Sequence, residues 1–146
     1  MTPDTLFQVT CLFAAVGWII ILFVSPFWNG YDKFVIGVVV AVLALTYSYL
    51  NFSNFQPDIL SKFSTLDGVQ SLFQNKSLVL AAWVHFLAFD LLVAVWEKNN
   101  SVKHGIKHLL IIPALIFTCM LGPLGFLIYL LTRWLKTKTY FADNVA

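Results

Sequence analysis

Four apolar runs, separated by shorter polar stretches, organise this chain. The first covers residues 6–24 without a single charge. The second, 34–49, mixes β-branched residues with Gly37 and ends near Tyr47 and Tyr49. The third reads LVLAAWVHFLAFDLLVAVW over 78–96, and the fourth, 108–131, contains Pro113 and a Gly122-Pro123-Leu124-Gly125 break. A helix rising 1.5 Å per residue needs about twenty apolar residues to cross a ~30 Å hydrocarbon layer. The pattern therefore predicts an all-α fold, a bundle of four transmembrane helices over about 5–24, 33–50, 77–97 and 108–132. Within the polar stretch 51–76, Ile59, Phe63, Leu66, Val69, Leu72 and Phe73 recur at roughly helical spacing. That predicts a short amphipathic segment lying on the membrane surface or capping the bundle between helices 2 and 3.

Composition strengthens this reading. Of 146 residues, 60% are hydrophobic and only 11% charged, where a soluble domain carries about 25% charged residues. The mean hydropathy is +0.82. No repeat or long linker divides the chain, so residues 1–146 read as one multi-pass integral membrane domain. The first run begins MTPDT, with an acid and no base, and ends SPFWNG. This is the expectation for a retained helix, not a cleaved signal peptide. A net charge of +2 without a basic stripe excludes nucleic acid as a partner. Cys11 and Cys119 lie in apolar runs without metal or redox spacing and read as packing residues. Four crossings put both termini and the 51–76 loop on one face, which then holds five basic residues against four. The compact group Arg133, Lys136 and Lys138 places both termini inside.

The chemistry concentrates in the third run, where His85 and Asp90 interrupt lipid-soluble sequence. A polar group at that depth needs a partner, a ligand or a water-filled space. Five residues turn a helix by about 500°, so the two side chains point about 140° apart. Asp90 shares its face with Ala94 and Glu97, and His85 with Ala81, Ala82 and Ala88, small residues that leave room for a helix or a ligand. The structural alternative is a carboxylate held by an indole, phenol or lysine, and an imidazole bonded to a carbonyl. His108 falls level with Glu97 at the start of the fourth segment, and His104 reads as solvated loop beside Lys103 and Lys107. The tryptophans at 18, 28, 83, 96 and 134 read mostly as interfacial anchors, with Trp83 one turn further in.

The ordered set Trp83-Val84-His85, Asp90-Leu91, His108 and Gly122-Pro123-Leu124-Gly125, preceded by Thr65-Leu66-Asp67-Gly68-Val69, resembles the abscisic-acid-deficient (neoxanthin-deficient) family of small membrane proteins. Where that family carries a cysteine before the proline, this chain has Gly122, and its opening MTPDT does not read as the plastid leader expected of plant members. A bacterial inner membrane, or a photosynthetic one, is the expected location.

The resemblance implies carotenoid chemistry, because plant members are required for converting violaxanthin to neoxanthin. An isomerase of that kind needs an acid at the epoxide oxygen and a base for a vinylic proton. His85 and Asp90 are the candidate catalytic residues, facing opposite sides of a polyene, with Trp83, Phe86, Phe89 and Pro123 as substrate-binding candidates. A variant is an oxygenase cleaving a carotenoid to retinal or another apocarotenoid, with iron held by His85, Asp90, Glu97 and His108. A third reading is a non-catalytic carotenoid-binding protein or membrane-complex subunit. Expected partners are a carotenoid or other polyene lipid, the membrane, and a second copy or a carotenoid-pathway enzyme.

Overall fold

The computed structural model describes residues 2–138, and among these every regular element is helical. Helix α1 (Pro3–Val24) starts at Thr2, whose hydroxyl accepts from the Thr5 amide, with Pro3 in the first turn. Its last turn, Ile20–Val24, widens to π geometry before Pro26. Helix α2 (Tyr31–Ser53) widens in the same way over Val35–Val40. Two short helices follow, α3 (Ile59–Lys62) and α4 (Leu66–Leu72), the second capped by the Thr65 hydroxyl. They form the amphipathic segment that the spacing predicts. Helix α5 (Lys76–Lys103), capped by Asn75, is the longest at 28 residues, about 42 Å. Helices α6 (His108–Leu121) and α7 (Pro123–Thr137) complete the bundle.

Helix α5 is the axis of the bundle. Its buried residues Val84, Leu91 and Ala94 meet Ala14 and Ile21 of α1, Val39 and Leu43 of α2, and Ile111 and Leu115 of α6. Lipid offers no hydrophobic drive between apolar helices, so close contact through small residues carries the packing. Gly17 shows this directly: a Cβ there would lie 3.0 Å from a Leu91 methyl.

The fold is an all-α membrane bundle, but its fourth apolar segment is not a single helix over 108–132. At Gly122 the backbone takes φ 39° and ψ −92°, and the chain reverses. Thr118 lies against Glu97 and Gly122 against Asp90, so α6 runs antiparallel to α5. Trp96 touches the rings of Phe126 and Tyr129, while Asn100 bonds Tyr129 and Arg133, so α7 runs parallel to α5. The arms press so closely that a Cβ on Gly125 would collide with the Thr118 backbone. Gly-Pro at the tip permits the reversal, because glycine accepts positive φ and proline needs no helical N–H partner.

Three helices are long and apolar enough to cross a membrane, Pro3–Val24, Tyr31–Ser53 and Lys76–Lys103, whereas His108–Leu121 is shorter. The hairpin arms, 14 and 15 residues, reach about 21 Å and return. This corrects the expected topology. Asp4 pairs with Lys76 at 2.7 Å, which puts the start of α1 beside the start of α5. At the opposite face, Tyr31 donates to Asn99 at 2.6 Å, and Lys136 lies beside His104 and Lys107. The end of α7 is therefore across the bundle from the start of α1. The basic residues redistribute accordingly, two (Lys62, Lys76) at the first face and seven at the second.

Candidate functional site

The separation of His85 and Asp90 around α5 places them in different cavities. His85 is half-buried in an aromatic cage, stacked on Phe89 with centroids 4.5 Å apart and flanked by Tyr47 at 5.7 Å and Phe86 at 5.9 Å. It lines a cavity of about 220 Å³ with Tyr47 and Asn51, roofed by Ile59, Phe63 and Leu72. The amphipathic α3–α4 segment is thus the lid over the histidine. Asp90 lines a second cavity, of about 320 Å³, with Trp83, Phe86, Cys119, Gly122 and Pro123. Its carboxylate faces the tip of the hairpin: a Cβ at Gly122 would lie 2.8 Å from Asp90 Oδ1. Neither His85 nor Asp90 has a hydrogen-bond partner among the described residues; aromatic rings surround the first and the hairpin tip faces the second.

A third cavity, of about 290 Å³, shares walls with both. It runs from Asp4 and Lys76 at the membrane face along Phe7, Phe73 and Val79, sharing Trp83 and Phe86 with the Asp90 cavity and Phe73 and Ala82 with the His85 cavity. Trp83 and Phe86 are exposed on the outer side of the bundle, so this groove opens toward lipid. Of the substrate-binding candidates, Trp83, Phe86 and Pro123 line cavities, whereas Phe89 packs on the imidazole of His85.

The four possible iron ligands do not converge. His85 and Asp90 occupy separate cavities. Glu97 has no exposed surface and accepts from the Thr118 hydroxyl at 3.0 and 3.2 Å. His108 Nε2 donates to the Leu22 carbonyl at 2.9 Å. That carbonyl's helical partner would be the amide of residue 26, which is proline, so His108 supplies the missing donor. Among the described residues no three His, Cys, Asp or Glu side chains gather to hold a metal. The donor set does not fit an iron centre. His104 bonds the Asn100 carbonyl through Nδ1 and closes the end of α5.

A buried polar layer lies beneath the second face, and the sequence pattern did not reveal it. Tyr129 donates to Asn100 Oδ1 at 2.6 Å and Arg133 donates to the same oxygen at 3.0 Å, with Lys98, Ser101, Thr118 and Glu97 buried around them. Arg133, expected in a compact basic group after the fourth helix, has no exposed surface. The signal was the spacing of Gly125, Tyr129 and Arg133, one face of a helix that starts at Pro123.

No curated protein sequence and no solved structure matches the chain. A family profile does, and it spans the three crossing helices and most of the hairpin, including both cavities. Matched over residues 5–129, the chain belongs to the ABA DEFICIENT 4-like family, and that membership implies a role in carotenoid-related biosynthesis.

Proposed function

We propose that this protein is a membrane-embedded enzyme that isomerises an oxygenated carotenoid. The observation that carries the reading is the lipid-facing aromatic groove along α5, which starts at Asp4 and Lys76 and shares Trp83 and Phe86 with the cavity lined by Asp90. A polyene is long, rigid and apolar, and it enters from the bilayer. Phe7, Phe73, Trp83 and Phe86 offer it aromatic walls, and Asp90 meets the one polar group on its end ring.

For an epoxide end ring the atoms balance without a co-reactant. Asp90 in its acid form protonates the epoxide oxygen as the C–O bond breaks. A base takes a proton from the neighbouring vinylic carbon, and that C–H electron pair becomes the new double bond. His85 is the candidate base. Its ring touches Phe86, which also lines the Asp90 cavity, so Phe86 must swing aside for both groups to act on one end ring. Oxidative cleavage to retinal or another apocarotenoid would require an iron site that these side chains do not assemble.

The second reading is a carotenoid-binding protein or complex subunit without chemistry of its own. The division of His85 and Asp90 between two cavities favours it. One experiment separates the readings: expression in a xanthophyll-producing bacterium, with His85→Ala and Asp90→Asn alongside. A new pigment that is lost in Asp90→Asn supports the enzyme. Unchanged pigments that co-purify with the protein support the binder. Unchanged pigments without co-purification sink both.

A further inference from the structure

We infer that the cleft between Lys107 and Lys136 is a binding site for an anionic phospholipid headgroup. The cleft exists only because the hairpin brings the end of α7 back beside the start of α6. Its volume is about 530 Å³, and His104, Gly105, Lys107, Lys136 and Thr137 form its polar rim. Below the rim lie Ile106, Leu109 and Leu110, with Leu109 76% exposed. Cationic rim above exposed leucines is the order in which a phospholipid presents phosphate and acyl chain.

Charge supports an anionic head. The only ion pairs formed among the described residues, Lys62–Asp58 and Lys76–Asp4, belong to the opposite face. Lys107 and Lys136 thus have no acidic partner among the described residues. His104 is held by its Nδ1 bond to the Asn100 carbonyl, so its ring is a fixed part of the rim. Lys33, Lys103 and Lys138 lie at the same face and add long-range attraction for a negatively charged leaflet. A zwitterionic head gains little here, because its own ammonium group meets the lysines.

The test uses the full-length protein in detergent, titrated with dioleoylphosphatidylglycerol or dioleoylphosphatidylcholine and read by native mass spectrometry and by melting temperature. Phosphatidylglycerol is expected to be retained and to raise the melting temperature, and phosphatidylcholine is not. Lys107→Gln with Lys136→Gln is expected to weaken phosphatidylglycerol binding roughly 10- to 30-fold. Lys62→Gln with Lys76→Gln, at the other face, leaves it unchanged. Equal retention of both lipids, or no difference between the two double variants, overturns the site. Full displacement of phosphatidylglycerol by millimolar inorganic phosphate overturns the lipid assignment and leaves a free-anion site instead.

Discussion

Thr118 on α6 donates its hydroxyl to the Glu97 carboxylate on α5, 3.0 and 3.2 Å from the two oxygens, and neither residue has any exposed surface. This bond joins the hairpin to the central helix at the depth where α6 also crosses Gly125. Removing the donor strands a buried acceptor, at about 1–3 kcal/mol. Thr118→Val is therefore expected to lower the melting temperature in detergent by several degrees. Glu97→Gln keeps an acceptor for Thr118 and is expected to cost less. An unchanged melting temperature in Thr118→Val would show that the bond does not hold the hairpin.

Gly122 predicts a second effect. Its φ of 39° disfavours any side chain, and a Cβ there would meet Asp90 Oδ1 at 2.8 Å. Gly122→Ala is expected to destabilise the protein by about 1–3 kcal/mol and to push the carboxylate out of place. Asp90→Ala, by contrast, leaves space. The pair Gly122→Ala with Asp90→Ala should then be less than additive in stability, as for residues in contact. Strict additivity in a double-mutant cycle would refute the contact.

His108 and Pro26 form a testable compensation. If the imidazole serves the Leu22 carbonyl because residue 26 has no N–H, then His108→Leu costs about 1 kcal/mol. Pro26→Ala supplies a backbone donor for the same carbonyl. The double variant His108→Leu with Pro26→Ala is expected to recover most of the loss in thermal unfolding. A metal-ligand role predicts no such rescue.

The redistribution of basic residues orients the chain. Five exposed lysines lie at the face that carries the end of α7 against two lysines at the other, with Lys98 and Arg133 buried beneath the first group, and positively charged loops stay on the cytoplasmic side. In a variant with Cys11 and Cys119 replaced by serine, Ser71→Cys should react with an impermeant maleimide in intact cells. Val102→Cys should react only after permeabilisation. The reverse labelling pattern would invert the orientation.

Much of this architecture can be read from hydropathy alone. The three crossing helices, the amphipathic α3–α4 segment and the angular separation of His85 from Asp90 all follow from residue type and helical period. The hairpin does not. Residues 108–131 dissolve in lipid equally well as one kinked helix or as two folded arms, and Gly122-Pro123 is compatible with both. Direction depends on one backbone angle, which hydropathy does not contain. The error then propagates, since it places Arg133 in the headgroups when it lies against Asn100. His108 escapes for a different reason. Its role depends on Pro26, eighty-two positions earlier, where a missing amide leaves no trace in apolar periodicity.

The hairpin also bears on how the protein is made. Its two arms begin and end at the second face, so among the described residues no polar stretch after α5 lies at the first face. Glu97 and Asn100 meet Thr118, Tyr129 and Arg133 when the arms dock on α5. Until then they sit at the rim of an unfinished bundle, in reach of water. Closure of the polar layer therefore depends on the hairpin meeting α5, whereas the length needed to cross the bilayer is met by the three long helices alone.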